Sequence, residues 1–197
     1  MRKTLDKLIS WTGLILAVVL LVAGGLMTYA SNFVAQNVKE QLSQQHITMP
    51  AAAALKTQEQ KDALLQYAGQ PMETGDQAKA FADHYILVHM NTSSNNKTYS
   101  EVSGEFMKLS QDPTADQAKV KELGDLRQSL FMGNTLRGLL LNAYAFGTMG
   151  TIASIAAVAA FVAAGVFLIL GLLGLRHAKY ARDAAFADAA KVPVPQA

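Results

Sequence analysis

The residues in this chain that could do chemistry are its histidines and their neighbouring carboxylates, and they are few. The histidines are His46, His84, His89 and His177. His84 and His89 are five apart, which places them about 140° apart around an α-helix. A two-histidine metal site on one helix needs i,i+4 spacing. A two-histidine, one-carboxylate iron site would have to bring in His46 or Glu101 from other helices, because Asp83 points away from its neighbour His84. The spacing therefore predicts no metal site and no cofactor. No G-x-S-x-G elbow, Walker loop or H-E-x-x-H motif occurs, and Ser100 and Ser103 have no base at a fixed spacing. The chain has no cysteine, which excludes disulfides, thiolate zinc sites and iron–sulfur clusters. The expectation is a protein that is not an enzyme. Its net charge of +2 is too small to argue for nucleic acid.

Polar residues at special places suggest contact rather than catalysis. Arg137 is the last charge before a long uncharged stretch, and Asn142 and Tyr144 follow about one and two helical turns later. Arg137 could meet a lipid phosphate, a partner carboxylate, or Glu40 on a facing helix. The last, a structural pair, is the expected outcome. With His84, Tyr99 and Glu101, these three are the candidate partner or lipid contacts.

Two apolar runs must position all of this. Residues 8–30 and 138–175 carry no Asp, Glu, Lys or Arg. A helix of roughly 20 apolar residues crosses the hydrocarbon of a bilayer. The reading is two transmembrane helices, at 8–30 and 151–175. Trp11 and Tyr29 sit near the ends of the first, where such rings favour the headgroup layer. A cleaved signal peptide is the alternative for the first run. The run is longer than an ordinary signal core, and Thr28-Tyr29-Ala30 is a poor cleavage site. Arg2, Lys3 and Lys7 precede the first run, and Arg176, Lys179, Arg182 and Lys191 follow the second. By the positive-inside rule both ends are cytoplasmic. The expected layout is a cytoplasmic N-terminus over 1–7, an extracytoplasmic domain over 31–150 and a cytoplasmic tail over 176–197, all in the plasma (inner) membrane. Asn91 and Asn96 match the glycosylation pattern, which arises easily by chance in a polar loop.

Small residues recur along both spans. Gly150, Ala153, Ala157, Ala160, Ala164, Gly171 and Gly174 form a stripe with a period near seven. Gly13, Ala17, Gly24 and Thr28 form another. Small residues let helices approach closely in lipid, so the spans are expected to pack as an antiparallel pair. A second alanine-rich face on the second span could dock on another membrane protein. Neither span carries an ionisable residue, so a channel or transporter is not indicated.

Between the spans every segment reads as helix or turn. Residues 31–45 continue the first span outward, and His46 to Pro50 ends it. Residues 51–67 form a second helix. Thr74 and Gln77 form a capping box that starts a helix through about Met90. On it Asp76, Lys79 and Asp83 form a solvated face, paired at i,i+3 and i,i+4. Residues 91–97 form a loop. A helix over about 98–109 is broken at Asp112-Pro113. The pattern from Thr114 is helical into the second span. The surplus stretch 138–150 is expected to pack on the outward extension of the first span, with a partner surface as the alternative. The fold class is all-α: two transmembrane helices crowned by an extracytoplasmic bundle.

Three stretches carry a family resemblance when taken together. They are Gly75 to Ile86 (GDQAKAFADHYI), Lys97 to Ser103 (KTYSEVS) and Thr135 to Phe146 (TLRGLLLNAYAF). In this order between two spans, the chain resembles a family of actinobacterial two-span membrane proteins of unknown biochemical activity, sometimes labelled ring-opening dioxygenases. The histidine spacing gives that label no support. The loop before Lys97 is Ser-Ser-Asn-Asn where the resemblance leads one to expect glycines. The resemblance implies an accessory subunit of an actinobacterial membrane complex, first of all the respiratory supercomplex of cytochrome bc and cytochrome aa3 oxidase. The expected partners are membrane lipids and larger integral membrane proteins. An extracytoplasmic ligand sensor acting through a membrane partner is the alternative. A membrane-anchored metal-dependent enzyme is a remote one.

Overall fold

A computed structural model gives the architecture over residues 2–189, with side chains described for residues 4–180. The basic side chains of Arg2, Lys3, Arg182 and Lys191, used in the orientation argument, lie outside the described set. The described residues are helical, apart from connecting turns and one isolated bridge between Thr48 and Pro71. Two long helices, α1 (Arg2–Ser43) and α6 (Gln117–Ala189), enclose the shorter α2 (Gln58–Leu64), α3 (Gly75–Phe81), α4 (Leu87–Ser94) and α5 (Tyr99–Ser110) in the sequence. Both long helices are apolar enough over sufficient length to cross a membrane. The chain forms two compact units, one of Met1–Asn32 with Thr151–Ala197 and one of Phe33–Gly150.

The first unit is an antiparallel helix pair. Its buried positions fall seven apart: Ser10, Ala17 and Gly24 on α1, and Ala157, Ala164, Gly171 and Ala178 on α6. Every one is small. The repeat of seven keeps one seam facing the partner helix. The closeness is visible at the glycines. A Cβ on Gly13 would lie 3.7 Å from the Phe167 carbonyl and 4.0 Å from Gly171 Cα. One on Gly171 would meet Leu14 at 2.9 Å, and one on Gly24 would meet the Phe161 ring at 2.9 Å. Ala160 and Ala153 flank the seam half-buried, while large residues such as Trp11, Ile15, Val22, Ile155 and Ile169 point outward. Only 17% of each helix's apolar window is buried, whereas the core helix of a soluble protein is mostly buried.

The second unit has a compact apolar core. Val38 and Leu42 of α1 and Leu140 of α6 close around Met49, Leu55, Leu64, Met72, Ala78 and Ala82. Surplus stretch and outward extension thus pack on each other within this unit. Three of its helices start from capping boxes, Thr57 with Gln60, Thr74 with Gln77, and Thr98 with Glu101. Each satisfies backbone donors that the first turn would otherwise orphan.

Three stretches differ from their sequence reading. Residues 51–67 are not one helix. They comprise a 3-10 turn over Ala52–Ala54, helix α2, and a second 3-10 turn over Leu65–Tyr67. The Thr57 cap starts a new helix after buried Leu55. Helix α4 runs on through Asn91, Thr92, Ser93 and Ser94 instead of ending near Met90. Thr92 and Ser93 donate back to the carbonyls of Val88 and Met90 at 2.8 and 2.9 Å, so they decorate the helix rather than compete with it. The remaining turn holds Asn95 and Asn96, both left-handed at φ 52° and 63°. Asparagine is among the few residues that adopt this conformation readily in place of glycine. Finally, a π turn over Ala82–Ile86 interrupts the helix from Thr74.

Candidate functional site

The π turn lies at the centre of a stretch of the second unit where three charged side chains, Lys79, Asp83 and Arg137, converge. Its placement starts with Gly75, the first residue of α3, which rests directly on α6. A Cβ there would stand 2.9 Å from Tyr144 Cα and 3.0 Å from the Ala143 carbonyl oxygen. Gly147 sits beneath it at 3.6 Å on the same criterion. The glycines let two backbones touch, and this close approach sets where α3 and the π turn lie against α6.

Asp83 then faces α6 and accepts from Arg137 Nη2 at 2.8 Å and from Lys79 Nζ. Its side chain is 19% exposed and that of Arg137 27%. Burial pushes the Asp83 carboxyl up, but the hydrogen bonds and charges of Lys79 and Arg137 outweigh burial and hold it below its ordinary value. Lys79 also lies 5.5 Å from the centre of the Tyr144 ring. Asp83, Lys79, Arg137 and Tyr144 therefore form one cluster. The expected Arg137–Glu40 pair does not form: Glu40 instead accepts from Gln36 on its own helix at 2.8 Å. Nor are Asp83 and Lys79 merely a solvated face, because Asp83 is the partly buried acceptor that ties α6 to the π turn. Two elements 54 residues apart meet here, a pairing that local periodicity does not encode.

His84 turns away from Asp83. Its Nδ1 is 3.2 Å from Glu59 Oε1. The wide π turn leaves carbonyl groups to be satisfied off the helix, and His84 O accepts from buried Gln60 Nε2 at 3.2 Å. His89 packs edge-on against Tyr85, at 4.4 Å between ring centres. Among the described residues no group of three or more His, Asp or Glu could hold a metal ion.

The other candidate residues lie apart. Glu101 accepts from Thr98 N at 2.7 Å and from its hydroxyl at 2.8 Å as part of the α5 cap. Those hydrogen bonds hold its carboxyl below its ordinary value. Tyr99 leans on Phe131, with ring centres 6.0 Å apart. Asn142 lines a separate cleft of about 440 Å³ between the outer part of α1 and α6, with Phe33, Val38, Leu42, Leu139 and Phe146. Of the six predicted contact residues, the fold brings together only Arg137 and Tyr144. Sequence reasoning missed Asp83 as their partner. It also missed Arg127, whose signal was an arginine next to the apolar positions Leu126 and Leu130.

No family model, no curated protein and no solved structure matches this chain.

Proposed function

We propose that this chain is a two-span protein of the plasma membrane, and that it serves as a non-enzymatic accessory or scaffold subunit of a larger membrane complex. Both termini are cytoplasmic in this reading and residues 31–150 are extracytoplasmic. The observation that carries it is the first unit: a tight seam of small residues inside, and large apolar side chains left outside along both helices. Such a surface is at home in lipid or against other apolar helices. The resemblance of the Gly75–Ile86, Lys97–Ser103 and Thr135–Phe146 stretches favours the actinobacterial cytochrome bc–aa3 supercomplex as the assembly. The Asp83 cluster fits a structural role, since its carboxylate is already held by two cations.

The test is purification of the tagged chain from native membranes in mild detergent, followed by mass spectrometry. Co-purification with the large subunits of the supercomplex is the expected result. Recovery of the chain alone overturns the proposal.

A second reading, an extracytoplasmic binding module, is favoured by the cleft between α1 and α6. Clefts of roughly 300–1,000 Å³ are typical of small-molecule sites. A ligand that raises the melting temperature of the purified full-length chain would favour it. Loss of that shift on filling the cleft with Ala143→Trp would place the ligand there.

A further inference from the structure

The face shared by α5 and α6 holds an arginine, Arg127, that pairs with no carboxylate among the described residues. Arg127 lies with its guanidinium carbon 5.2 Å from the centre of the Phe106 ring and 5.9 Å from that of Tyr99. Gly124 makes room for this arrangement, since a Cβ there would meet the Phe106 ring at 3.1 Å. The rings restrict the guanidinium but accept none of its in-plane hydrogen bonds. Among the described residues Arg127 has no carboxylate within ion-pair distance, and its buried Nε has no acceptor. The nearby acids are engaged elsewhere: Glu101 in its cap, Glu105 with Lys97, and Asp125 with Lys121. Arg137 shares the orphaned Nε but differs in its ion pair, because its Nη2 has Asp83.

A cavity of about 270 Å³ opens at this point, lined by Tyr99, Phe106, Gly124, Arg127, Gln128 and Phe131. Phe131 is 52% exposed and forms an open wall. One oriented guanidinium favours an oxyanion that accepts two parallel hydrogen bonds. Aromatic walls favour an apolar group behind it. A doubly charged phosphate would face a single cation and apolar rings, and would lose much of its hydration for little return. We propose that this cavity binds a carboxylate carried on a small apolar group. Arg127 is the anion receptor, and Tyr99, Phe106 and Phe131 are the walls. The carboxylate belongs either to a free small molecule or to an acidic side chain of a bound protein.

The test uses the full-length chain in neutral detergent. Binding of 4-fluorophenylacetate is followed by fluorine NMR, with 4-fluorophenylacetamide as the uncharged counterpart. Saturable binding of the acid but not the amide is expected. Arg127→Gln should weaken it by at least about tenfold, and Arg127→Lys, which keeps the charge but loses the fork, should fall between. Helix content by circular dichroism checks that the variants fold. If Arg127→Gln does not fold, Phe131→Ala at the exposed wall takes its place and should weaken binding of the acid. No saturable binding, equal binding by the amide, or binding unaffected by these variants overturns the proposal. Purification of Arg127→Glu from native membranes separates the sources. Loss of one co-purifying protein identifies an acidic side chain of that protein, and an unchanged set of partners identifies a free carboxylate.

Discussion

Gly75 and Tyr144 touch backbone to backbone, so that even a methyl group on the glycine would come within 2.9 Å of Tyr144 Cα. Neither atom belongs to a side chain that can swing aside. This contact seats α3 on α6 and fixes the position of the cluster beyond it.

Gly75→Ala is therefore expected to destabilise the second unit, by about 1–3 kcal/mol as an overpacked site. The gain in helix propensity, about 1 kcal/mol at most, does not offset it. Gly104 in α5 is the control, because a Cβ there meets nothing within 4 Å. Gly104→Ala should stabilise by roughly 0.5–1 kcal/mol. Thermal melts of the two variants in the same detergent should move in opposite directions.

The Asp83 carboxyl gives a pH dependence of known sign. Its folded value lies below the ordinary 3.8. The stability it contributes is present above that ordinary value and is lost as pH falls through the lower, folded one. Asp83→Asn should cost about 1–3 kcal/mol at neutral pH, less than the loss for a fully buried pair because both partners keep some solvent. It should also flatten the acid limb of a stability-against-pH curve below that point. An acid limb unchanged in Asp83→Asn would show that Asp83 does not set it.

The glycine seam predicts a specific cross-link. The chain has no native cysteine, so introduced pairs report cleanly. A Cβ on Gly13 would stand 4.0 Å from Gly171 Cα, a spacing compatible with a disulfide. Gly13→Cys with Gly171→Cys should form an intramolecular disulfide on mild oxidation. Gly25→Cys with Gly171→Cys should not, since Gly25 has no neighbour within 4 Å. A gel shift removed by reductant reads both outcomes.

The proposed orientation is open to the same chemistry. A single cysteine at Gln111, exposed in the turn after α5, should react with a membrane-impermeant maleimide in intact cells. One at exposed Arg176 should react only after the membrane is opened. The reverse pattern would invert the topology.

What the sequence reveals here follows from which interactions are local. The two apolar runs, the small residues seven apart and the Thr74–Gln77 cap are all encoded within a few residues, and residue type and spacing suffice to find each of them. The unbroken run of α6 from Gln117 through the second apolar stretch follows from the absence of proline between Pro113 and the end of that stretch. The Arg137–Asp83 pair, the seat of Gly75 on Ala143 and Tyr144, and the pocket around Arg127 join distant segments. Their residue types signal a need for a partner, but no spacing identifies the partner. Helix α4 outruns its sequence pattern for a different reason. Asn, Thr and Ser compete with helical bonds when their side chains reach the local backbone, but here Thr92 and Ser93 reach back along the helix and Ser94 is buried.

The π turn has a consequence for angular phase. Residues four apart on an α-helix advance about 40° around the axis at each step, so a stripe spaced by fours winds off one face within a few turns. Ala78, Ala82, Ile86, Met90 and Ser94 form such a stripe, and all of them are buried or partly buried. A π turn takes about 4.4 residues, so four residues fall short of a full revolution by roughly 33°. That shortfall nearly cancels one step of the winding. The wide turn thus acts as a phase correction, keeping one line of side chains turned inward from α3 to the end of α4. Regular α geometry over Ala82–Ile86 at unchanged length would turn everything after it by about 90°, carrying the inward-facing line of α4 round toward the outside. Deleting one residue there lets four α-helical residues replace five wide-turn ones and leaves the phase of α4 within about 10°.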